Sequence, residues 1–193
     1  MLTKNIYFKN FQVKSVKTKS KQLIKKNITN EINNNKNLLN TLSKNYRYTY
    51  KKKDLNRFKK FKEFNLIGMG GSILGTEAIY SFLNHKVKKK IRFFNNLDNF
   101  QKINKKKNCN IIISKSGNTL EVATNINIII NKKDENLIIT ENSNNYLKSI
   151  ASTLRSEIIE HKNFIGGRYS VLSEVGMIPA ELMGLNTQKF KNI

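Results

Sequence analysis

Residues 64–75 read Phe64-Asn65-Leu66-Ile67-Gly68-Met69-Gly70-Gly71-Ser72-Ile73-Leu74-Gly75. A short apolar run ends in a cluster of glycines, and a helical pattern then runs to about Leu83. That is a strand, a tight turn and a helix, and the unit repeats downstream. Residues 91–94 predict a second strand with a polar helix behind it, and residues 110–113 a third, apolar strand. A helix over 119–130 puts Val122, Ile126, Ile129 and Ile130 on one face. A fourth strand is expected at 137–140, a helix near 146–152 and a fifth strand at 157–160. Strands this short and apolar, separated by helices, imply a parallel sheet covered on both faces. The fold class is α/β, a three-layer αβα domain. Ligands in such sheets bind beyond the carboxyl ends of the strands, so the strand-to-helix turns are where chemistry is expected.

Upstream of this domain the chain reads differently, and we expect a basic helical segment over residues 1–60 followed by the α/β domain over 61–193. Ile24, Ile28 and Ile32 recur at a spacing of four, with Leu38, Leu39 and Leu42 extending the apolar face. Such an amphipathic helix, or helix pair, needs a surface to lie on, and the α/β domain is the expected one. Tyr46, Tyr48 and Tyr50 alternate with Arg47 and Thr49, which suits a short extended piece at the surface. Basic residues interleaved with tyrosines could also stack on single-stranded nucleic acid.

The formal net charge is +23, and residues 1–63 contribute most of it, with 18 Lys/Arg against 3 Asp/Glu. The base is mainly Lys and travels with abundant Asn and Ile, the residues an AT-rich genome writes where side-chain identity matters little. Solvated faces account for such a run, and nucleic acid is not the expected partner. No apolar run reaches the length of a membrane span, and Met1 is not followed by the apolar block of a signal peptide. The lone Cys109 excludes an internal disulfide framework and a Cys-rich metal site. A cytoplasmic protein without metal or cofactor is expected.

Three turns carry candidate chemistry. In the first, Gly68-Met69-Gly70-Gly71-Ser72, glycines let backbone N–H groups approach an anion at a helix start. A dinucleotide reading is poor, because Ile73 stands where a third glycine belongs and the second strand ends in neutral Asn95 and Asn96. The second turn, Ser114-Lys115-Ser116-Gly117-Asn118-Thr119, packs three hydroxyl residues around a glycine directly after a strand. An N-cap alone accounts for one Ser or Thr but not this density, and the Gly-Lys-Ser/Thr pattern of a nucleotide loop is absent. A phosphate group fits the donors on offer. The third, Gly166-Gly167-Arg168-Tyr169-Ser170, sets a permanent cation at a helix start, ahead of an apolar period at Val171, Val175, Ile178 and Leu182. Gly176 and Pro179 predict a kink or split in that helix.

Together the three turns resemble the glucose-6-phosphate isomerase family, whose domains belong to the sugar-isomerase (SIS-type) class of phosphosugar-binding folds. The third, Gly166-Gly167-Arg168-Tyr169-Ser170-Val171-Leu172-Ser173, is the most particular to it. The resemblance spans about residues 64–185. It implies aldose–ketose interconversion of glucose 6-phosphate and fructose 6-phosphate through an enediolate, in glycolysis and gluconeogenesis, with no cofactor and with a homodimer as the assembly. Carried over, Gly71 and Ser72 line the sugar phosphate, Ser114, Lys115, Ser116 and Thr119 grip it, and Arg168 is the catalytic arginine beside the reacting carbons. Asn118 and Glu174 depart from the common pattern. The family's catalytic glutamate, ring-opening histidine and late lysine come from segments after the arginine helix. His85 and His161 precede that segment and match neither role. The expected product is thus a binding half without its base, a fragment of a longer isomerase. The alternatives are a non-catalytic phosphosugar sensor and, from the charge alone, a nucleic-acid-binding protein.

Overall fold

Five short strands form one all-parallel sheet in the computed structural model, which describes residues 18–34, 36–97 and 107–191. They are β1 (Glu63–Gly68), β2 (Lys90–Phe94), β3 (Cys109–Ile113), β4 (Glu135–Thr140) and β5 (Glu157–Glu160), in the order β2-β1-β3-β4-β5. The helices are α1 (Thr18–Asn33), α2 (Asn56–Lys59), α3 (Leu74–Leu83), α4 (Leu120–Ile129), α5 (Tyr146–Ala151) and α6 (Glu174–Leu182). Strands and helices of the α/β domain fall within two residues of the boundaries expected from the pattern. The polar helix expected behind β2 falls largely on residues outside the described ones. No helix among the described residues is long and apolar enough to cross a membrane.

Alternate residues of each strand feed two cores, one on each face. Phe64, Leu66, Ile111, Ile113, Leu137 and Ile139 join α6 on one side. Ile67, Ile112 and Ile138 meet Val122, Ile126 and Ile129 of α4 and Leu147 of α5 on the other. Each such side chain contributes roughly 1.5–3 kcal/mol when removed from water. Register is held by polar groups as well. Asn65 donates to Asn110 at 2.8 Å, Asn110 donates to Asn136 at 2.8 Å, and Asn136 donates to the Leu154 carbonyl at 2.8 Å. These three are paired neighbours on β1, β3 and β4, so a slipped strand would bury unpaired amides.

Three expectations change. The isoleucine stripe of α1 does not lie on the α/β domain: Leu23, Ile24 and Ile28 are 61%, 53% and 50% exposed. The tyrosines do the reverse, because residues 46–50 form no strand and Tyr46 and Tyr50 are buried. Glu174, fully buried in the first turn of α6, accepts the Tyr46 hydroxyl at 2.9 Å and the Thr49 N–H at 2.9 Å. Finally, α6 runs unbroken through Pro179. Proline removes one bond to the carbonyl four residues back, but Glu174 to Ala180 are all buried, and that packing outweighs the loss. Gly176 serves a close approach instead of a bend, since a Cβ there would stand 2.1 Å from the Val171 carbonyl oxygen.

Candidate functional site

The strand order reverses direction between β1 and β3, with β2 following on one side and β4 on the other. Such a switch point opens a crevice at the carboxyl ends of the two strands. The first glycine turn leaves β1 there and the serine loop leaves β3, so adjacent strands deliver both.

The loop of residues 114–119 is held by the fold through several of its carbonyls. Its carbonyls are turned back into the fold: that of Ser114 accepts the Gly117 N–H, that of Lys115 accepts the Glu141 N–H, and that of Gly117 accepts the Leu147 N–H. Gly117 has φ +68°, a left-handed conformation that other residues adopt only with strain. Ser114 Oγ and Thr119 Oγ1 lie 2.9 Å apart, and Ser116 is exposed. Thr119 is the N-cap residue of α4, yet no side chain caps that helix. The backbone N–H groups of Ser116 and Thr119 take no partner among the described residues. Free donors at a helix start, aligned with its dipole, favour an anion.

Lys115 is placed differently from its neighbours. Its ammonium donates to the Asn163 carbonyl at 2.7 Å and lies 3.3 Å from Glu141, so it braces the loop against neighbouring segments.

The glycine turn and the arginine segment form one unit. A Cβ on Gly71 would lie 2.3 Å from the Gly167 carbonyl carbon and 2.8 Å from the Arg168 nitrogen. Only glycine permits that approach. Ser170 Oγ ties the two together, donating to the carbonyl of Gly167 at 2.7 Å and lying 3.2 Å from that of Gly71. Arg168 sits in a short 3₁₀ turn, Gly167–Tyr169, exposed and without an ion pair among the described residues. A cation of fixed charge therefore stands free beside the first turn, and Ser72, half-buried, lies in that turn.

The histidines stand apart from this cluster. His85 is exposed just beyond α3. His161 follows β5 and is buried; loss of hydration holds its imidazole below the usual range, with the Lys162 carbonyl opposing. One asparagine, Asn145, escaped the motif reading, and Asn118 stood in it without its partner. Asn145 packs against Gly117, and Asn118 accepts the Tyr146 N–H at 2.8 Å. Asn before a helix is a legible capping signal, but its contact across 28 residues is not.

Residues 9–192 match the sequence profile of the family described as phosphoglucose isomerase. Glucose-6-phosphate isomerase of Acholeplasma laidlawii is 33% identical over 168 residues, covering 73% of this chain and 40% of its own. The probable glucose-6-phosphate isomerase of Methanococcus maripaludis is 29% identical over 206 residues, covering 96% of this chain and 46% of its own. This chain thus spans less than half the length of either relative. Among solved structures, a hypothetical protein of Thermus thermophilus superposes with a TM-score of 0.70 at 18% identity, over 90% of this chain and 46% of its own. Tagatose-6-phosphate ketose/aldose isomerase of Escherichia coli superposes with a TM-score of 0.52 at 16% identity, over 71% of this chain and 42% of its own. At those identities the likeness is one of fold. The profile match covers nearly the whole chain, and with the three turns assembled as described, the chain belongs to the phosphoglucose isomerase family.

Proposed function

We propose that this chain is the phosphosugar-binding part of a glucose-6-phosphate isomerase, holding the phosphate of glucose 6-phosphate or fructose 6-phosphate on residues 114–119. The observation that carries the reading is the uncapped start of α4 behind a loop whose Ser114, Lys115 and Gly117 carbonyls are engaged by the fold. Ser114, Ser116 and Thr119 supply hydroxyls, and backbone N–H groups supply the rest. Gly71 and Ser72 line the same crevice from β1.

Aldose–ketose isomerisation moves a proton between adjacent carbons and passes through an enediolate. Arg168 is the group to stabilise that anion, its guanidinium having no ion pair among the described residues. The carboxylates that follow it are engaged elsewhere. Glu174 holds Tyr46 and Thr49, and Glu181 lies 3.2 Å from the Lys59 ammonium. Neither is available as a base, so this chain by itself should bind without turning over.

Calorimetry with fructose 6-phosphate tests this. Replacing Ser116 and Thr119 together by Ala should weaken binding by roughly 2–4 kcal/mol, since charge-assisted hydrogen bonds contribute about 1.5–3 each and these share one ligand. Arg168→Ala should leave that affinity nearly intact, because its role lies in the transition state. Unchanged affinity in the double variant, or isomerisation by the 193-residue chain, would overturn the reading.

A further inference from the structure

The loop of residues 114–119 is held from behind by the connection between β4 and α5, and the Asn145 side chain is packed between that connection and Gly117. Asn145 caps α5, its Oδ1 accepting the Lys148 N–H at 3.0 Å. Its amide nitrogen lies 3.1 Å from the Ser143 carbonyl, 3.3 Å from Thr140 Oγ1 and 3.4 Å from the Glu141 carbonyl. The same side chain fills the space on the inner side of Gly117, where an added Cβ would lie 2.2 Å from its Cγ and Oδ1. On either side of that wedge the loop is pinned to the same segment. Thr140 Oγ1 and the Glu141 N–H point at the Lys115 carbonyl, at 3.3 Å and 3.0 Å, and Asn118 Oδ1 accepts the Tyr146 N–H.

We propose that Asn145 is a positioning residue for anion binding, acting through Gly117 without touching the ligand. It keeps Gly117 in its left-handed conformation and so keeps the loop carbonyls inward and the loop donors outward. The inference rests on the functional reading above, because it concerns the affinity of that same loop. Asn145 is fastened to its own segment through its Oδ1 and through an NH2 with two hydrogens for three nearby acceptors, so it is a stop against which the loop sets. Without it, the stretch from Ser116 to Asn118 can turn a carbonyl toward the anion, and binding weakens although every ligand-facing group remains.

The test is a cycle of variants in the 193-residue chain, titrated with inorganic phosphate and with fructose 6-phosphate. Asn145→Ser keeps a capping side chain for α5, so its melting temperature should stay close to that of the unaltered protein, while phosphate affinity falls about tenfold. Gly117→Ala places a methyl group against Asn145 and should lose at least as much. The double variant Gly117→Ala with Asn145→Ser should bind no worse than Gly117→Ala alone, because both act on one arrangement. Amide exchange should quicken at Gly117, Glu141 and Leu147, whose N–H groups hold the loop carbonyls, in Asn145→Ser while residues 137–140 keep their protection. Full affinity in Asn145→Ser, or losses that multiply independently in the double variant, would overturn the inference alone. Failure of the unaltered chain to bind either probe would overturn the functional reading, and the inference with it.

Discussion

Helix α1 and the tyrosine segment of residues 46–50 come from the same basic, Asn-rich stretch, yet they meet opposite fates. The helix carries the apolar stripe and leaves Leu23, Ile24 and Ile28 half exposed or more. The tyrosine segment has cations and hydroxyls in it and is buried against α6. The difference lies in what each offers to the surface it could cover. A fully buried carboxyl group stands at the start of α6, and leaving it without hydrogen bonds would cost several kcal/mol. Tyr46 and Thr49 supply those bonds, and burial together with Glu174 raises the Tyr46 hydroxyl far above its ordinary titration range. Around them Lys191 lies 4.3 Å from the Tyr46 ring centre and 4.5 Å from that of Tyr48, and Lys162 lies 4.1 Å from that of Tyr46. Apolar area alone does not decide docking; an unmet polar group on the receiving surface does.

The largest effect that could break this comparison is expected from Glu174→Ala. It strands the Tyr46 hydroxyl and the Thr49 N–H in the interior and should cost about 3 kcal/mol in urea unfolding. A loss below about 0.5 kcal/mol would show the tyrosine segment to be held by something else.

A smaller effect, one of pH, should come from Lys191. Loss of hydration lowers its ammonium from the ordinary 10.5 to about 8, against the opposing pull of Glu174, with Lys162 adding to the lowering. Its amine has no hydrogen-bond partner among the described residues. The folded protein therefore binds fewer protons than the unfolded chain between about pH 8 and 10.5. Stability gained from this group is fully present above that window and is lost as pH falls through it. Melting curves of the unaltered protein and Lys191→Met should differ most near pH 7.5 and converge toward pH 10, with Lys191→Met the more stable at the lower pH. A pH-independent difference would exclude a desolvated ammonium there.

The smallest effect is expected on the other side of the comparison. Ile24→Ser combined with Ile28→Ser exchanges side chains already half in water, so unfolding should move by less than about 0.5 kcal/mol. A loss above about 1.5 kcal/mol would return the stripe to a docked role, as its spacing suggests.

The same contrast explains what was legible. The strands were, because Ile111-Ile112-Ile113 and Leu137-Ile138-Ile139 can be satisfied only by burial on both faces, a local property. The three turns were legible because glycines and hydroxyls mark a backbone that must meet something small and charged. The tyrosines were misread because their partner, Glu174, lies 128 residues from Tyr46 and is itself a departure from the family pattern. The resemblance set Lys115 beside its neighbours on the phosphate; that its ammonium also reaches Asn163, 48 residues away, had no local signal. Asn145 could be read as a cap but not as the wall behind Gly117. Motifs name the residues that meet a ligand; what sets their posture arrives from elsewhere in the chain.

The contact between Gly71 and Gly167 also dates the site within the life of the molecule. Ser170 reaches the Gly71 carbonyl across 99 residues of chain, and nearly the whole sheet lies between them. Closing so long a loop is slow unless intervening structure shortens it. As a ribosome delivers the chain from its N-terminus, β1 and its turn emerge early, and the serine loop can take shape once β4 and α5 have paired behind it. The arginine arrives only after β5 has emerged. The first turn and the serine loop can thus stand on adjacent strands before the segment of Arg168 reaches them.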